Sequence, residues 1–350
     1  MENNNLPLHC GGQFNTLAQR GTNKKRNHPV LISGKGSDLS KKNSLKGRAK
    51  RKMITQKMIL SLIDVSENKH NPSRIKPYWN TFYCQNKVYT ADGRLYGKYC
   101  KNRFCTLCAS IRKAEIINRY LPTIQLWDDP YFVTLTIKAQ PLRNLNKFMK
   151  GMIIAFNKIT DKYRKRSQRG KGIKFVGIKS LECNFNPTKK TYNPHFHLVV
   201  QTKEMATILI DEWLKIWTRK YTFLGAQDLR RVGDREKILI EIIKYGSKIF
   251  TEPDLNKKMK AKEKHDIYAA ALNNIFASMK GLRIFERFGF DLPILERNSK
   301  CYIIKNFDKW EFDNKIFDWI NFETGEILTQ YTPSSNLISL LEGNINRSLE

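Results

Sequence analysis

The chain has 350 residues, with 63 Lys and Arg against 32 Asp and Glu and a formal net charge of +31. Hydrophobic residues make up 41% and aromatic residues 11%, which excludes a wholly disordered chain and provides for one large domain or two ordinary ones. The charge excess points to a polyanionic partner, nucleic acid before a membrane surface. No run of about 18 apolar residues is present to form a transmembrane helix.

The N-terminus, Met1-Glu2-Asn3-Asn4-Asn5, lacks the basic-then-apolar pattern of a signal peptide, so a cytoplasmic location is expected. Cysteines stand at 10, 84, 100, 105, 108, 183 and 301, an odd number that argues against a disulfide framework there. Residues 1–55 are polar and basic, with Lys24-Lys25-Arg26, Lys41-Lys42 and Lys50-Arg51-Lys52, and no hydrophobic period. They are expected to form a disordered basic tail.

Residues 75–121 form a cysteine-rich module. Val88-Tyr89-Thr90 and Arg94-Leu95-Tyr96 flank Asp92-Gly93, the signature of a tight hairpin. Cys84 precedes this hairpin and Cys100 follows it. Cys105-Thr106-Leu107-Cys108 opens a helix expected to stop at Leu121, before Pro122. Four thiols at Cys84-x15-Cys100-x4-Cys105-x2-Cys108 have the look of a structural zinc site. Buried cysteines acting as small hydrophobes are the competing reading. A catalytic thiol is disfavoured, since His70 is the sole histidine nearby.

Residues 128–290 carry the strongest patterns. Tyr131 to Ile137 alternates and is β-branched, predicting a strand. Phe148, Met152, Ala155, Phe156 and Ile159 predict a helix over 145–166. A strand over 173–183, a turn over 184–192 and a strand over 194–201 follow. Helices are expected over 205–221 and 235–250, with mixed helical structure over 265–288. Residues 291–350, aromatic and more acidic, form a C-terminal region of unknown role.

In Pro194-His195-Phe196-His197-Leu198 two histidines sit two residues apart in a strand, so both imidazoles leave the same face. Two imidazoles on one face can hold a divalent metal. A third ligand is usual at a catalytic site. The preceding strand supplies Glu182, which a hairpin over 173–201 would bring beside them. Two ordinary strand histidines are the alternative. In the helix over 235–250, Glu241, Lys244, Tyr245 and Lys248 share one side, while Leu239, Ile243 and Phe250 share the other. A tyrosine on the polar side, one turn from a carboxylate, suits chemistry better than packing. A surface pair worth about 0.3 kcal/mol is the plain alternative.

These residues resemble the HUH endonucleases, and within them the single-tyrosine replication initiator (Rep) proteins of rolling-circle plasmids. Thr134-Leu135-Thr136 matches the first motif of that family, Pro194-His195-Phe196-His197-Leu198 the second, and Glu241-Ile242-Ile243-Lys244-Tyr245 with Lys248 the third. The order, metal strand before tyrosine helix, is that of the Rep proteins; relaxases place the tyrosine first. Cys100 to Cys108 resembles an upstream family element, with Thr106 where a proline is common. The resemblance covers about residues 80–290.

The resemblance implies an α+β, ferredoxin-like catalytic domain with a central antiparallel sheet and flanking helices. It implies Mg2+ or Mn2+ on His195, His197 and Glu182, and Tyr245 as the nucleophile that nicks the origin and retains the 5′ end. The metal or Lys248 would favour the phenolate, and Glu241 would activate water to end the round. Partners implied are origin DNA, with a single-stranded nick site in a hairpin and flanking duplex, and a host helicase and polymerase. No Gly-x4-Gly-Lys-[Ser/Thr] occurs in the chain, so no P-loop is recognised. An HUH transposase or relaxase, and a non-catalytic zinc-dependent DNA-binding protein, stay open as alternatives.

Overall fold

A computed structural model describes residues 30–33, 36–68, 72–245, 267–293, 301–304, 306–343 and 345–347. The chain divides into two compact units. One comprises residues 1–50, 85–99 and 294–332, the other residues 51–84, 100–293 and 333–350.

In the smaller unit a five-stranded antiparallel sheet joins β2 (Ser37–Asp38), β3 (Lys87–Ala91), β4 (Arg94–Gly97), β12 (Asp308–Asp313) and β13 (Asp318–Ile320), in the order β13-β12-β3-β4-β2. The hairpin expected at Asp92-Gly93 is present. Both turn residues have positive φ, 49° and 68°, as a type I′ turn requires. Val88, Leu95, Trp310, Phe312 and Trp319 form its core with Leu45 and Ala49 from the start of α1 (Lys42–Asn68). Alongside, β1 (Val30–Ser33) pairs with β11 (Cys301–Ile304). The hairpin pairs with β12 from the C-terminal region and belongs to a sheet of its own, outside the unit that holds the cysteines.

The larger unit is built on a second five-stranded antiparallel sheet. Its strands are β5 (Tyr131–Thr136), β6 (Gly177–Asn186), β7 (Thr191–Val200), β8 (Asp228–Arg231) and β10 (Phe285–Phe288), in the order β10-β6-β7-β5-β8. Alternation decides what each face meets. Val133, Leu135, Leu181, Phe196 and Leu198 turn to one side. There they pack on α4 (Leu142–Gln168) and α5 (Lys203–Tyr221) through Met149, Met152, Phe156, Leu209 and Trp213. Phe132, Ile178 and Val199 turn to the other side and meet α3 (Thr106–Gln125) and α6 (Arg235–Tyr245) through Tyr120, Ile124, Leu239 and Ile242. Each such fully buried side chain contributes roughly 1.5–3 kcal/mol. The unit is completed by α2 (Pro72–Phe82), β9 (Ile267–Tyr268), α7 (Ala269–Ser278), α8 (Ser335–Gly343) and β14 (Ile345–Asn346). The architecture is α+β, with central antiparallel sheets and flanking helices. No helix among the described residues is long and apolar enough to cross a membrane.

Four expectations are corrected. Residues 42–55, read as part of a disordered tail, form the first half of α1. Leu45, Ala49 and Met53 recur four apart, then Met58 and Leu62, all buried, with the intervening charges hiding the period. Helix α3 runs through Pro122 to Gln125. Pro122 lies in the last turn, and burial of Ile124 and Trp127 offsets the hydrogen bond it removes. Phe285–Phe288, read as helical, is the strand that pairs with β6. On α6 the buried stripe is Ile238, Leu239 and Ile242, with Ile243 partly exposed; Phe250 lies outside the described residues.

Candidate functional site

The strands β6 and β7 form the hairpin that the sequence predicts. Glu182 stands directly opposite His195, and Ser180 opposite His197. Across β5, Thr136 faces His195 and Thr134 faces His197. Residues directly opposite in an antiparallel ladder project to the same side, so these six side chains share one face. The Nε2 atoms of His195 and His197 lie 3.3 and 3.1 Å from Glu182 Oε2. All three residues are buried.

This donor set fits a divalent cation. One ligand atom from each of the three side chains lies within 4.8 Å of the others. The far nitrogens are also engaged. His195 Nδ1 is 3.0 Å from the Asn193 carbonyl oxygen and His197 Nδ1 is 3.2 Å from Thr134 Oγ1. A carbonyl can only accept, so His195 donates from Nδ1, and Nε2, on the side of Glu182, is the nitrogen that could bind a metal. That is how outer-shell partners prepare imidazoles for metal. Phe132 stacks on His197 with ring centroids 5.3 Å apart. Gln227 donates to the Thr136 carbonyl through Nε2 and accepts from its N–H through Oε1 at 2.9 Å, holding the end of β5.

Helix α6 lies over this face. Arg235, at its start, bonds the carbonyl of Trp127, which precedes β5, and Ile243, near its end, lines the same cleft as Ser180. The helix therefore runs from the far end of the sheet toward the Glu182 end, and Tyr245 is its last residue. The Tyr245 side chain and Lys248 lie outside the described residues. Glu241, half-buried, accepts from Arg230 Nη2 at 3.0 Å. The Arg230 guanidinium also lies 4.3 Å over the Phe132 ring.

Cys84, Cys100, Cys105 and Cys108 converge on a second point. Cys108 Sγ is 3.7 Å from Cys84 Sγ and 3.6 Å from Cys100 Sγ, and all four sulfurs lie within 4.8 Å of one another. Tetrahedral zinc with bonds of about 2.3 Å separates its sulfurs by about 3.8 Å. The backbone N–H of Cys100 donates to Cys84 Sγ at 3.4 Å and that of Lys101 to Cys108 Sγ at 3.3 Å. The thiols divide under their mutual hydrogen bonds. Cys105 above all holds Cys100 far below the ordinary thiol range, while Cys100 drives Cys84 and Cys105 up. A cation is what would let all four ionise together. Lys52, fully buried, stands beside them. Burial brings its ammonium down to about 8, against the opposing pull of Cys84, Cys105 and Cys100. Its Nζ donates to the Phe82 carbonyl at 2.5 Å. Thr106, where a proline is common, opens α3; its Oγ1 donates to the Arg51 carbonyl at 2.9 Å and its N–H to Thr55 Oγ1 at 3.3 Å.

Two groups of residues could thus hold a metal ion, and each contains the side chains that the sequence nominates for it. The sequence reading passed over Phe132, Asn193, Arg230 and Lys52. Phe132 could have been found, since it shares the strand parity of Thr134 and Thr136, which oppose His197 and His195. Arg230 gave no signal in a short exposed strand, and Lys52 was hidden in a basic run.

A family model described as replication protein matches residues 94–285, more than half of the chain. Among curated relatives, a protein rep of Staphylococcus aureus is 28% identical over 176 residues, covering 46% of this chain and 72% of its own. A protein rep of Bacillus sp is 27% identical over 166 residues, and one of Bacillus amyloliquefaciens 30% identical over 156. These alignments cover 44% and 41% of this chain and 52% and 44% of the relatives, so the chain spans about half the length of both Bacillus proteins. No solved structure matches.

Proposed function

Because the chain belongs to the replication protein family, we propose that it initiates rolling-circle replication of a small plasmid by nicking the origin through Tyr245. The observation that carries this reading is the convergence of two imidazoles and a carboxylate on the sheet face beneath the tyrosine helix. The five-stranded antiparallel sheet with helices on both faces, and the two histidines on an inner strand, support an HUH-type domain.

Glu182, His195 and His197 would hold Mg2+ or Mn2+, which would polarise the scissile phosphate and offset charge developing on its oxygens. Asn193 and Thr134 hold the two imidazoles in the orientation that this needs. Tyr245, at the end of α6, attacks phosphorus. A phenolic O–P bond forms, the bond from phosphorus to the 3′ oxygen breaks, and that oxygen takes up a proton to leave as a 3′-OH primer. A free phenol has a pKa of about 10, and Lys248 favours its ionised form. Glu241, one helical turn before the nucleophile, takes the proton of a water molecule whose oxygen bonds to phosphorus; the phenolic O–P bond breaks, the Tyr245 oxygen takes up a proton, and the round ends by hydrolysis. Unwinding falls to a separate helicase, since the sequence carries no P-loop, and extension of the 3′-OH to a host polymerase.

Purified protein with Mg2+ or Mn2+ and supercoiled DNA bearing its origin provides the test. The reading expects one nick, a free 3′-OH, and protein on the 5′ end. Nicking without a protein–DNA linkage would refute the nucleophilic role.

A further inference from the structure

A cleft of about 630 Å³ opens on the same side of the sheet as Glu182, His195 and His197. Ser180, in its lining, lies opposite His197 in the register and two residues from Glu182. One wall is the loop between Cys100 and Cys105, all four of whose residues line the cleft. The other is the segment that follows α7, with Lys280 and Arg283. Arg112 adds a further cation, Phe104 and Phe285 add rings, and none of the described lining residues is acidic.

The first wall is fixed by the cysteine cluster. Lys101 sits at φ +59°, a left-handed conformation that its N–H bond to Cys108 Sγ holds. Asn102 donates to the Pro77 carbonyl at 3.1 Å and to Thr81 Oγ1 at 2.7 Å, tying the loop to α2. Arg103 spans the cleft and donates to the Met279 and Leu282 carbonyls at 3.1 and 3.2 Å, fixing the distance between the walls. Arg103 carries its charge in the cleft with Lys101 and Lys280, while Arg283, also in the lining, is paired with Glu286 at 3.4 Å.

We propose that this cleft takes a single DNA strand next to the scissile phosphate, and that the cysteine cluster shapes the wall that grips it. The inference rests on reading Glu182, His195 and His197 as the cleavage site. A track of cations with aromatic rings suits a single strand, whose phosphates need counter-charge and whose bases need stacking surface. A volume in the range of small-ligand pockets is enough to admit unpaired nucleotides.

The test is fluorescence anisotropy of the full chain with labelled oligo(dT), without divalent metal, across a salt series. The variant K101E/K280E changes two exposed lysines, one on each wall, and K101Q/K280Q keeps their size without the charge. Lys165→Glu, on α4 across the sheet, controls for net charge. The expected result is a loss of roughly tenfold or more for K101E/K280E. The salt slope should fall by about 0.7 per lost phosphate contact, with an intermediate loss for the Gln pair and less than about twofold for Lys165→Glu. Equal binding by K101E/K280E and Lys165→Glu would overturn the proposal. So would loss of duplex binding with oligo(dT) binding intact. If the wild type fails to nick but K101E/K280E still loses oligo(dT), the cleavage reading fails and the strand cleft stands.

Discussion

The Glu241 carboxylate is bound by the Arg230 guanidinium at 3.0 Å, and Arg230 in turn covers Phe132, whose ring stacks on His197. Two side chains thus link the residue assigned to termination with one assigned to the metal. If Glu241 acts only on water, Glu241→Ala nicks at close to the wild-type rate. Its release of the 5′ end by hydrolysis then falls by roughly 100-fold or more. Single-turnover cleavage and hydrolysis of an origin oligonucleotide separate the two. An equal loss in both steps would remove Glu241 from the assigned role.

Thr134 tests whether the imidazoles are prepared for metal. Thr134→Val keeps the shape of β5 and removes the oxygen 3.2 Å from His197 Nδ1. Loss of such an outer partner costs roughly 10–100-fold in metal affinity. Titration calorimetry with Mn2+ measures it, and an unchanged affinity would mean that the bond does not orient a ligand.

The cysteine cluster makes a separate prediction. The expected result is about one zinc per wild-type chain by elemental analysis. Cys105→Ser and Cys108→Ser carry none and melt at lower temperature, because metal-binding free energy is folding free energy. Cys183→Ser, on β6, keeps its zinc. Acidification releases the metal as the thiolates are protonated. Full zinc in Cys108→Ser would exclude the tetrahedral site.

The packing of α4 on α5 gives a pH-dependent signature. Burial pushes the Glu212 carboxyl up, but hydrogen bonds from Lys162 at 2.6 Å and Lys215 at 3.3 Å together outweigh it and hold the group below its ordinary value of 4.5. The unfolded chain therefore binds the proton more readily than the folded one. The contribution is present above about pH 4.5 and is lost as pH falls through the folded value. Glu212→Gln is expected to cost about 1 kcal/mol at pH 7 and to flatten that part of the acid limb. Parallel acid unfolding of the two proteins would contradict it.

Where hydrophobic period and side-chain chemistry coincide, the sequence was legible. The alternation of Tyr131–Thr136 and of His195–Val200 determined strand parity, and parity placed His195, His197 and Glu182 on one face. The Asp92-Gly93 turn was legible for the same local reason, but its membership of a sheet with Asp308–Asp313 was not. That pairing joins residues more than 200 apart and leaves no local trace. Lys52 was misread because a fully buried lysine looks, in sequence, like its solvated neighbours. The ion pair of Arg230 with Glu241 depends on how α6 lies over the sheet, which no spacing rule supplies.

The covalent role of Tyr245 underlies every step of the proposed cycle. The most direct measurement is mass spectrometry of the peptide–nucleotide adduct that remains after origin cleavage and nuclease digestion, with Tyr245→Phe alongside. The predicted result is a nucleotide bonded through its 5′ phosphate to Tyr245, and neither adduct nor nick with Tyr245→Phe. An adduct on another residue, or wild-type nicking by Tyr245→Phe, would contradict it.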